Sequence, residues 1–326
     1  MSESHVVAVA GANGFVGRHV VRALLDGGCR VRALVRSLDK AAAVLPVHEH
    51  LDLETGEVLA AADRDRLLRG CTACINTIGI IREAPGGQTF RRAHVLTTRG
   101  LVDTCEELGV TRFIQISALG VNDEGECPYR RSKFEAETNL RRSSLRWTIL
   151  RPSMILGPGS GFLDMARGWV TGRAFPHLFI PYFQRHTGGP PIPGLARLED
   201  PVLAPVAADD VARAVLEALR RPQAVGEVYD LCGPERTTMP EILRVLQRHV
   251  PLAKKRLRLV GAPDSVAVKV ARAAKVVGLR HALPFDEGMA IMAGQDSVCL
   301  TRKLETHLGF APAPVLPRLP DFARAG

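Results

Sequence analysis

The residues that most constrain this chain run from His5 to Gly17, HVVAVAGANGFVG, where an apolar stretch of strand composition breaks into glycines at Gly11, Gly14 and Gly17. The sequence predicts a helix immediately after it, over Phe15 to Leu25, with Val16, Val20, Val21, Leu24 and Leu25 on one side and Arg18 and Arg22 off it. A strand that turns through glycines into a helix is an anion-binding arrangement. Without side chains the turn lets a pyrophosphate approach the backbone, while the unpaired N–H groups and positive dipole end of the helix face it. Gly11, Asn13, Gly14, Phe15, Val16 and Gly17 are therefore expected to line a dinucleotide site.

The second strand, Arg30 to Val35, closes a βαβ unit, and the residue at its end selects the nucleotide. An acid there binds free ribose hydroxyls, whereas a cation accommodates a 2′-phosphate. Here Val35 is followed by Arg36 and Ser37, with Lys40 four residues after Arg36 and no carboxylate at the position, which favours NADP(H) over NAD(H). A third strand is expected at His50 to Thr55, then Gly56-Glu57-Val58 and a helix through Asp65 to Arg69. Cys71 to Ile81 reads as a fourth strand ending in Asn76-Thr77-Ile78-Gly79, Thr89 to Leu108 as a long helix, and Arg112 to Ser117 as a fifth strand. Parallel sheets of this kind collect their chemistry at the C-terminal strand edge, so Ser117 should lie beside the glycine turn. Tyr129 and Lys133 follow at i and i+4 on one helix face. A neighbouring ammonium would lower the phenol's pKa, letting Tyr129 pass a proton to a carbonyl oxygen that Ser117 also hydrogen-bonds, with Lys133 binding the nicotinamide ribose. A sixth strand, Trp147 to Leu150, leads through Arg151-Pro152-Ser153 into Gly157-Pro158-Gly159.

Residues 1–155 thus read as an α/β nucleotide-binding domain of the doubly wound, Rossmann type. Residues 156–326 read as a mixed region with lid or substrate loops, a return to the core fold near 206–232 and a small basic C-terminal subdomain. Pro and Gly thicken between Gly157 and Pro205, predicting a long, mostly irregular connection. Phe162, Met165, Trp169, Phe175, Phe179 and Tyr182 gather there, pointing to an apolar small-molecule substrate. Asp209 and Asp210 begin a helix to Arg220, Val228 to Leu231 is a short strand, and Thr238-Met239-Pro240-Glu241 has a helix-start composition. Asp264 to Leu279 is amphipathic, with Val266, Val270, Ala273 and Val277 expected to pack on the small domain.

The formal net charge is +9, and residues 241–280 hold ten Lys or Arg against Glu241 and Asp264, so nearly all the excess sits there. Such a segment reads first as a solvated face, with membrane-surface or protein-complex contact as the functional alternative; no nucleic-acid role is expected. No apolar run is long enough to span a bilayer and the N-terminus shows no leader. The expectation is a cytoplasmic protein, peripheral at most to the inner face of a membrane. Seven scattered cysteines fit reduced thiols better than a disulfide framework. Cys71 and Cys74 have knuckle spacing but no second pair of ligands follows, so no metal is expected.

The glycine motif, Asn76 to Gly79, Ser117 and Tyr129-x-x-x-Lys133 resemble the short-chain dehydrogenase/reductase superfamily. INTIGIIRE, QTFRRAHV, RFIQISALG, YRRSKFEAE and WTILRPSMILGPG resemble its atypical branch, which contains the nucleotide-binding accessory subunit of respiratory complex I and bacterial relatives. The resemblance implies a Rossmann fold, a bound nicotinamide cofactor, Ser117, Tyr129 and Lys133 as catalytic residues, and cofactor contacts from Arg36, Lys40, Asn76, Gly79, Lys133 and Pro152. Two positions depart from the pattern. Glu57, followed by Val58, stands where an Asp near the adenine is usual, and His94 where many members have an Asn. The expected function is NADPH-dependent reduction of a carbonyl or conjugated double bond on a quinone- or lipid-like substrate. The alternatives are a non-catalytic, NADPH-bound structural or assembly factor of a membrane complex, or a nucleotide-sugar epimerase or dehydratase.

Overall fold

The computed structural model describes residues 6–124, 127–190, 195–276, 278 and 283–324. In chain order the nucleotide-binding half comprises β1 (Val6–Ala10), α1 (Phe15–Asp26), β2 (Arg30–Val35), α2 (Leu38–Ala42), β3 (Leu51–Thr55), α3 (Ala61–Leu68), β4 (Ala73–Asn76), a π-helical turn (Arg91–Leu96) running into α4 (Thr97–Leu108), β5 (Arg112–Ile116), α5 (Pro128–Arg141) and β6 (Arg146–Pro152). There follow β7 (Ile155–Leu156), α6 (Gly161–Val170), β8 (Phe179–Gly188), β9 (Arg197–Glu199), β10 (Val202–Leu203), β11 (Val206–Ala207), α7 (Ala208–Arg220) and β12 (Glu227–Leu231). The remainder is β13 (Thr237–Thr238), α8 (Met239–His249), β14 (Arg258–Pro263), α9 (Asp264–Val276), α10 (Glu287–Ala293), α11 (Arg302–Leu308) and α12 (Leu319–Arg324).

The central sheet runs β12-β6-β5-β4-β1-β2-β3, every neighbouring pair parallel. Strand order reverses at β1, whose neighbours are β2 and β4, so the turn after β1 opens into the crevice where parallel sheets bind ligands. The two-residue period of a strand explains the unbroken apolar run of β1. Val7 and Val9 pack into one core with Val20, Val21 and Leu24 of α1 and Val211 and Val215 of α7, while Ala8 and Ala10 face Leu67, Leu101 and Phe113 in another. A third core, with Leu163, Val170, Ile180, Leu243 and Leu246, belongs to the C-terminal half.

Three expectations change. The stretch 157–205 is not mostly irregular: Ser160 precedes α6, which buries Leu163, Ala166 and Val170, and β8 is the middle strand of a second sheet, β14-β8-β9. The partners of β8 lie at 197–199 and 258–263, so local sequence gives its pairing no signature. Phe162, Trp169 and Tyr182 pack, partly buried, against that half's core. Second, α9, packed against α10, β8 and β14, buries Ala267 and Ala271, not its valines; Val270 is 45% exposed and Val276 86%, and Val277 lies outside the described residues. Third, Cys232 and Cys299 form a disulfide. Cys232 follows β12, and the 296–299 segment is held beside β10 by Ser297 N–H donating to Val202 O, which brings together thiols that spacing alone does not pair. Glu241 does accept from the Thr238 N–H at 2.9 Å, completing the expected capping box of α8.

Candidate functional site: a nucleotide crevice at the sheet edge

Gly11 sits at φ 84°, and Gly14 N–H closes the turn on Gly11 O at 3.0 Å. A Cβ at Gly17 would stand 2.0 Å from Gly11 O, so this turn forms only with glycine there. Arg18 N–H is the first in α1 to find a backbone acceptor, Gly14 O at 3.1 Å, which leaves the N–H groups of Phe15, Val16 and Gly17 pointing into the crevice. No side chain caps this end and its first turn holds no acid, so the positive end of the dipole is uncompensated. Asn13 beside it is half-buried. Two contacts brace the turn from the far side. Arg18 Nη2 donates to Gly159 O at 3.0 Å, and His19 lies between Asp209 Oδ1 (2.7 Å) and Pro158 O (3.3 Å). His19 and Asp209 escape sequence reasoning because 190 residues separate them.

Arg36 lies exposed just beyond β2, with no acidic partner among the described residues, and Lys40 is exposed one helical turn on, where Ser37 Oγ caps α2 through the Lys40 N–H. The exposed Glu57 donates its backbone N–H to Asp63 Oδ2 at 2.7 Å; Val58 O accepts from Arg64 Nη1 at 3.0 Å. Asn76 turns inward. Its Nδ2 donates to Thr98 and Gln115, and its Oδ1 accepts from Ile78 N–H at 3.1 Å, so it shapes the Thr77–Gly79 loop and spends its polar atoms doing so. Pro152, buried at the end of β6, offers its O to Leu119 N–H at 2.9 Å.

Gly79, Ser117 and Lys133 are brought together. Lys133 Nζ donates to Ile116 O at 3.0 Å, and a Cβ at Gly79 would lie 2.9 Å from that ammonium. Burial pulls Lys133 down to about 8, against the carboxylate of Glu137, which raises it. Ser117 Oγ is buried and has no hydrogen-bond partner among the described residues. Such a group is rare in a folded interior and fits a site completed by a ligand. Tyr129 packs edge-on against Phe90 and His94, with ring centroids 5.8 and 5.5 Å away. Burial pushes its phenol up to about 12, helped by Cys127 and opposed by Arg130. The expected lowering of Tyr129 by Lys133 is therefore corrected: the ammonium is engaged by a carbonyl, and desolvation prevails.

His94 is the residue that sequence reasoning underused. It is buried in the π-helical turn that opens α4, a register change that turns its ring inward. Ile80 N–H donates to its Nε2 at 3.2 Å, so the neutral ring carries its proton on Nδ1, 2.7 Å from Ser132 Oγ, which in turn donates to Tyr129 O at 2.8 Å. Burial and the Lys133 charge hold His94 down to about 2. Over this cluster rests α10, where Cys127 Sγ lies 3.9 Å from Gly288 O, and Arg130 hydrogen-bonds Gln295. Just before α10, Phe285 stacks edge-on with Phe183 of β8 at 4.9 Å.

An uncapped helix N-terminus behind a glycine turn, an unpaired hydroxyl and an ammonium at one sheet edge form a dinucleotide crevice. Residues 11–162 match the NAD(P)H-binding family model, and residues 120–215 match that of the male sterility protein. The chain is NAD(P)-binding and similar to the atypical short-chain dehydrogenase/reductases. Among curated relatives of this NAD(P)-binding protein, ceramide reductase of Caulobacter vibrioides is 35% identical over 156 residues, 47% of this chain and 47% of that protein. The mitochondrial NADH dehydrogenase [ubiquinone] 1 alpha subcomplex subunit 9 of Arabidopsis thaliana is 26% identical over 249 residues, 74% of this chain and 57% of that one. The matches thus span only about half of these relatives' own lengths. UDP-glucuronic acid 4-epimerase from Bacillus cereus in complex with NAD superposes with a TM-score of 0.69 at 17% identity, covering 98% of this chain and 96% of that one, a likeness of fold. Among the described residues no helix is long and apolar enough to cross a membrane.

Proposed function

We propose that the protein is an NADPH-dependent reductase of a carbonyl or conjugated double bond on an apolar, lipid- or quinone-like substrate. The observation that carries this reading is the buried Ser117 hydroxyl, unpartnered among the described residues, directly after the Ile116 carbonyl that holds the Lys133 ammonium, on the edge that also holds the glycine turn. The glycine turn and the N–H groups of Phe15, Val16 and Gly17 would hold the pyrophosphate, Arg36 and Lys40 the 2′-phosphate, and Lys133 the ribose of the nicotinamide. Bound NADPH would supply the hydride. The chain's own part is protonic and electrostatic. Tyr129, kept as a neutral phenol by burial, donates its proton to the oxygen that gains charge, and Ser117 donates a hydrogen bond to the same oxygen. His94 and Ser132 fix the backbone at Tyr129 and take no proton themselves. Phe183, Phe285 and the α10 turn over Cys127 favour an apolar substrate. The likeness to a protein named ceramide reductase supports that class.

A second reading is a structural or assembly role in a membrane complex with NADPH as a folding ligand. It is favoured by the likeness of 74% of the chain to a respiratory-complex subunit and by Lys133 being engaged away from Tyr129. Nucleotide-sugar epimerisation is disfavoured by Arg36, because a cofactor recycled within the site is usually NAD. The test is the nucleotide that co-purifies, followed by turnover of Tyr129→Phe on aldehyde, enone and quinone substrates. A drop in kcat on the order of 100-fold with unchanged NADPH affinity is expected for loss of a general acid. NADPH that survives dialysis and is oxidised by none of the substrates would refute the reductase reading and leave the structural one.

A further inference from the structure

Among the described residues, the only non-glycine positions with left-handed backbone are His177 (φ 64°) and Leu252 (φ 63°). Such a conformation is unfavourable for a residue with a side chain and persists where the surroundings impose it. The two occur on neighbouring turns. Lys254 N–H donates to Val170 O at 2.8 Å, a Cβ at Gly172 would lie 3.0 Å from Lys254 Nζ, and Arg173 and Leu252 line one groove of about 440 Å³ between the turns. What these turns present is unusual for a solvated surface. Phe175 is 66% exposed, Leu178 81% and Leu252 77%, three large apolar side chains projecting from turn tips. Around them Arg173, Lys254, Lys255 and Arg256 are exposed and form no ion pair among the described residues. The acid on the groove rim, Asp164, is already engaged by Arg167 at 2.8 Å.

We propose that the turns at 171–178 and 251–256 form a docking surface for an anionic lipid bilayer, with Phe175, Leu178 and Leu252 entering the interface and the four cations meeting lipid phosphates. Charge complementarity selects this occupant. A second copy of the chain would set the same cations against themselves, whereas a bilayer with acidic lipids offers negative charge outside and hydrocarbon within reach of short side chains. The proposal sharpens the basic segment: Lys254, Lys255 and Arg256 act here with Arg173 from the other turn, while Lys269, Arg272 and Lys275 lie on the separate α9 face, where Arg272 pairs with Glu287 at 2.7 Å. It does not depend on whether the bound nucleotide turns over.

The test is sedimentation of the full chain with phosphatidylcholine vesicles with and without phosphatidylglycerol, at low and high salt. Binding should require phosphatidylglycerol and weaken with salt. Lys254→Glu combined with Lys255→Glu and Arg256→Glu should reduce it by at least about 100-fold, taking about fivefold per cation. Phe175→Ser with Leu178→Ser and Leu252→Ser should reduce it by at least about tenfold, since each side chain loses apolar burial. These side chains are mostly exposed, so both variants should keep the thermal midpoint and NADPH affinity of the parent. Absence of vesicle binding, binding indifferent to phosphatidylglycerol, or binding that survives the apolar variant would overturn the proposal. So would a concentration-dependent dimer, abolished by Leu252→Ser, in a protein that ignores vesicles.

Discussion

Replacing Arg36 with Ala tests the choice of nucleotide. The guanidinium is exposed at the end of β2 and has no acidic partner among the described residues, so its charge acts through solvent. Two unit charges about 4 Å apart attract by about 1 kcal/mol at the dielectric of water, so a doubly charged 2′-phosphate loses about 2 kcal/mol with the guanidinium. That corresponds to about a 30-fold weaker Kd for NADPH. Lys40 remains one turn away and prevents a larger loss. NADH has no group to place there, and its Kd should stay within about twofold, well under the 1.4 kcal/mol of a tenfold change. Calorimetric titration of both nucleotides into both proteins at two salt concentrations reads the difference, which should shrink as salt rises. If Arg36→Ala weakens NADPH and NADH equally, or if the parent binds NADH more tightly, the electrostatic reasoning fails.

Gly17→Ala places a methyl group 2.0 Å from Gly11 O, a backbone atom that cannot step aside, so it should lower stability by about 1–3 kcal/mol and abolish nucleotide retention. Gly161→Ala meets nothing within 4 Å and should do neither; denaturant melts and the absorbance of the co-purified nucleotide separate the two. His94 has its folded value near 2, below its ordinary 6.5, so between these limits the unfolded chain binds the extra proton and stability is lost as pH falls. Urea melts should show a slope of up to about 1.4 kcal/mol per pH unit below about pH 6.5, which His94→Asn flattens. Thiol titration of the unfolded, unreduced chain should find five free cysteines of the seven, and all seven after reduction. Seven before reduction would remove the Cys232–Cys299 bond.

What the sequence discloses and what it withholds divide along the range of the interactions. The first six strands of the sheet, the helix carrying Tyr129 and Lys133 and the capping box of α8 are written in neighbouring residues: alternation, glycine punctuation, Thr238 three before Glu241. β8 is hidden because its partners lie elsewhere in the chain, and so is the disulfide, whose cysteines are 67 residues apart. The site follows the same rule. Gly11 to Gly17, Ser117 and Lys133 can be placed from local pattern, since strand ends and i, i+4 spacing fix their side of the sheet. The inward turn of Asn76 toward Thr98 and Gln115 could not be read from the loop, and neither could the π-helical register that buries His94 against Tyr129. The direction of the Tyr129 shift is hidden from the sequence for a related reason: helix spacing puts an ammonium on the phenol's face, but only the packed structure shows that Ile116 O takes it.

The same two groups bear on whether the site is built to react. Giving up its proton in a reduction would leave Tyr129 as the same buried phenolate from which an oxidation would start, so burial weakens the phenol as an acid in either direction. Lys133 carries the complementary argument. Burying its ammonium costs stability, as its fall to about 8 records, and Ile116 O offsets only part of that cost. A protein that held a nucleotide solely as a folding ligand could replace the side chain with an apolar one of similar length. Lys133→Met is the discriminating change: in a scaffold it should leave the fold as stable or more so and weaken nucleotide retention only by the lost ribose contact. In a reductase that extra stability should come with loss of turnover, because Ser117 would face the substrate oxygen without the buried Lys133 ammonium held on the preceding carbonyl.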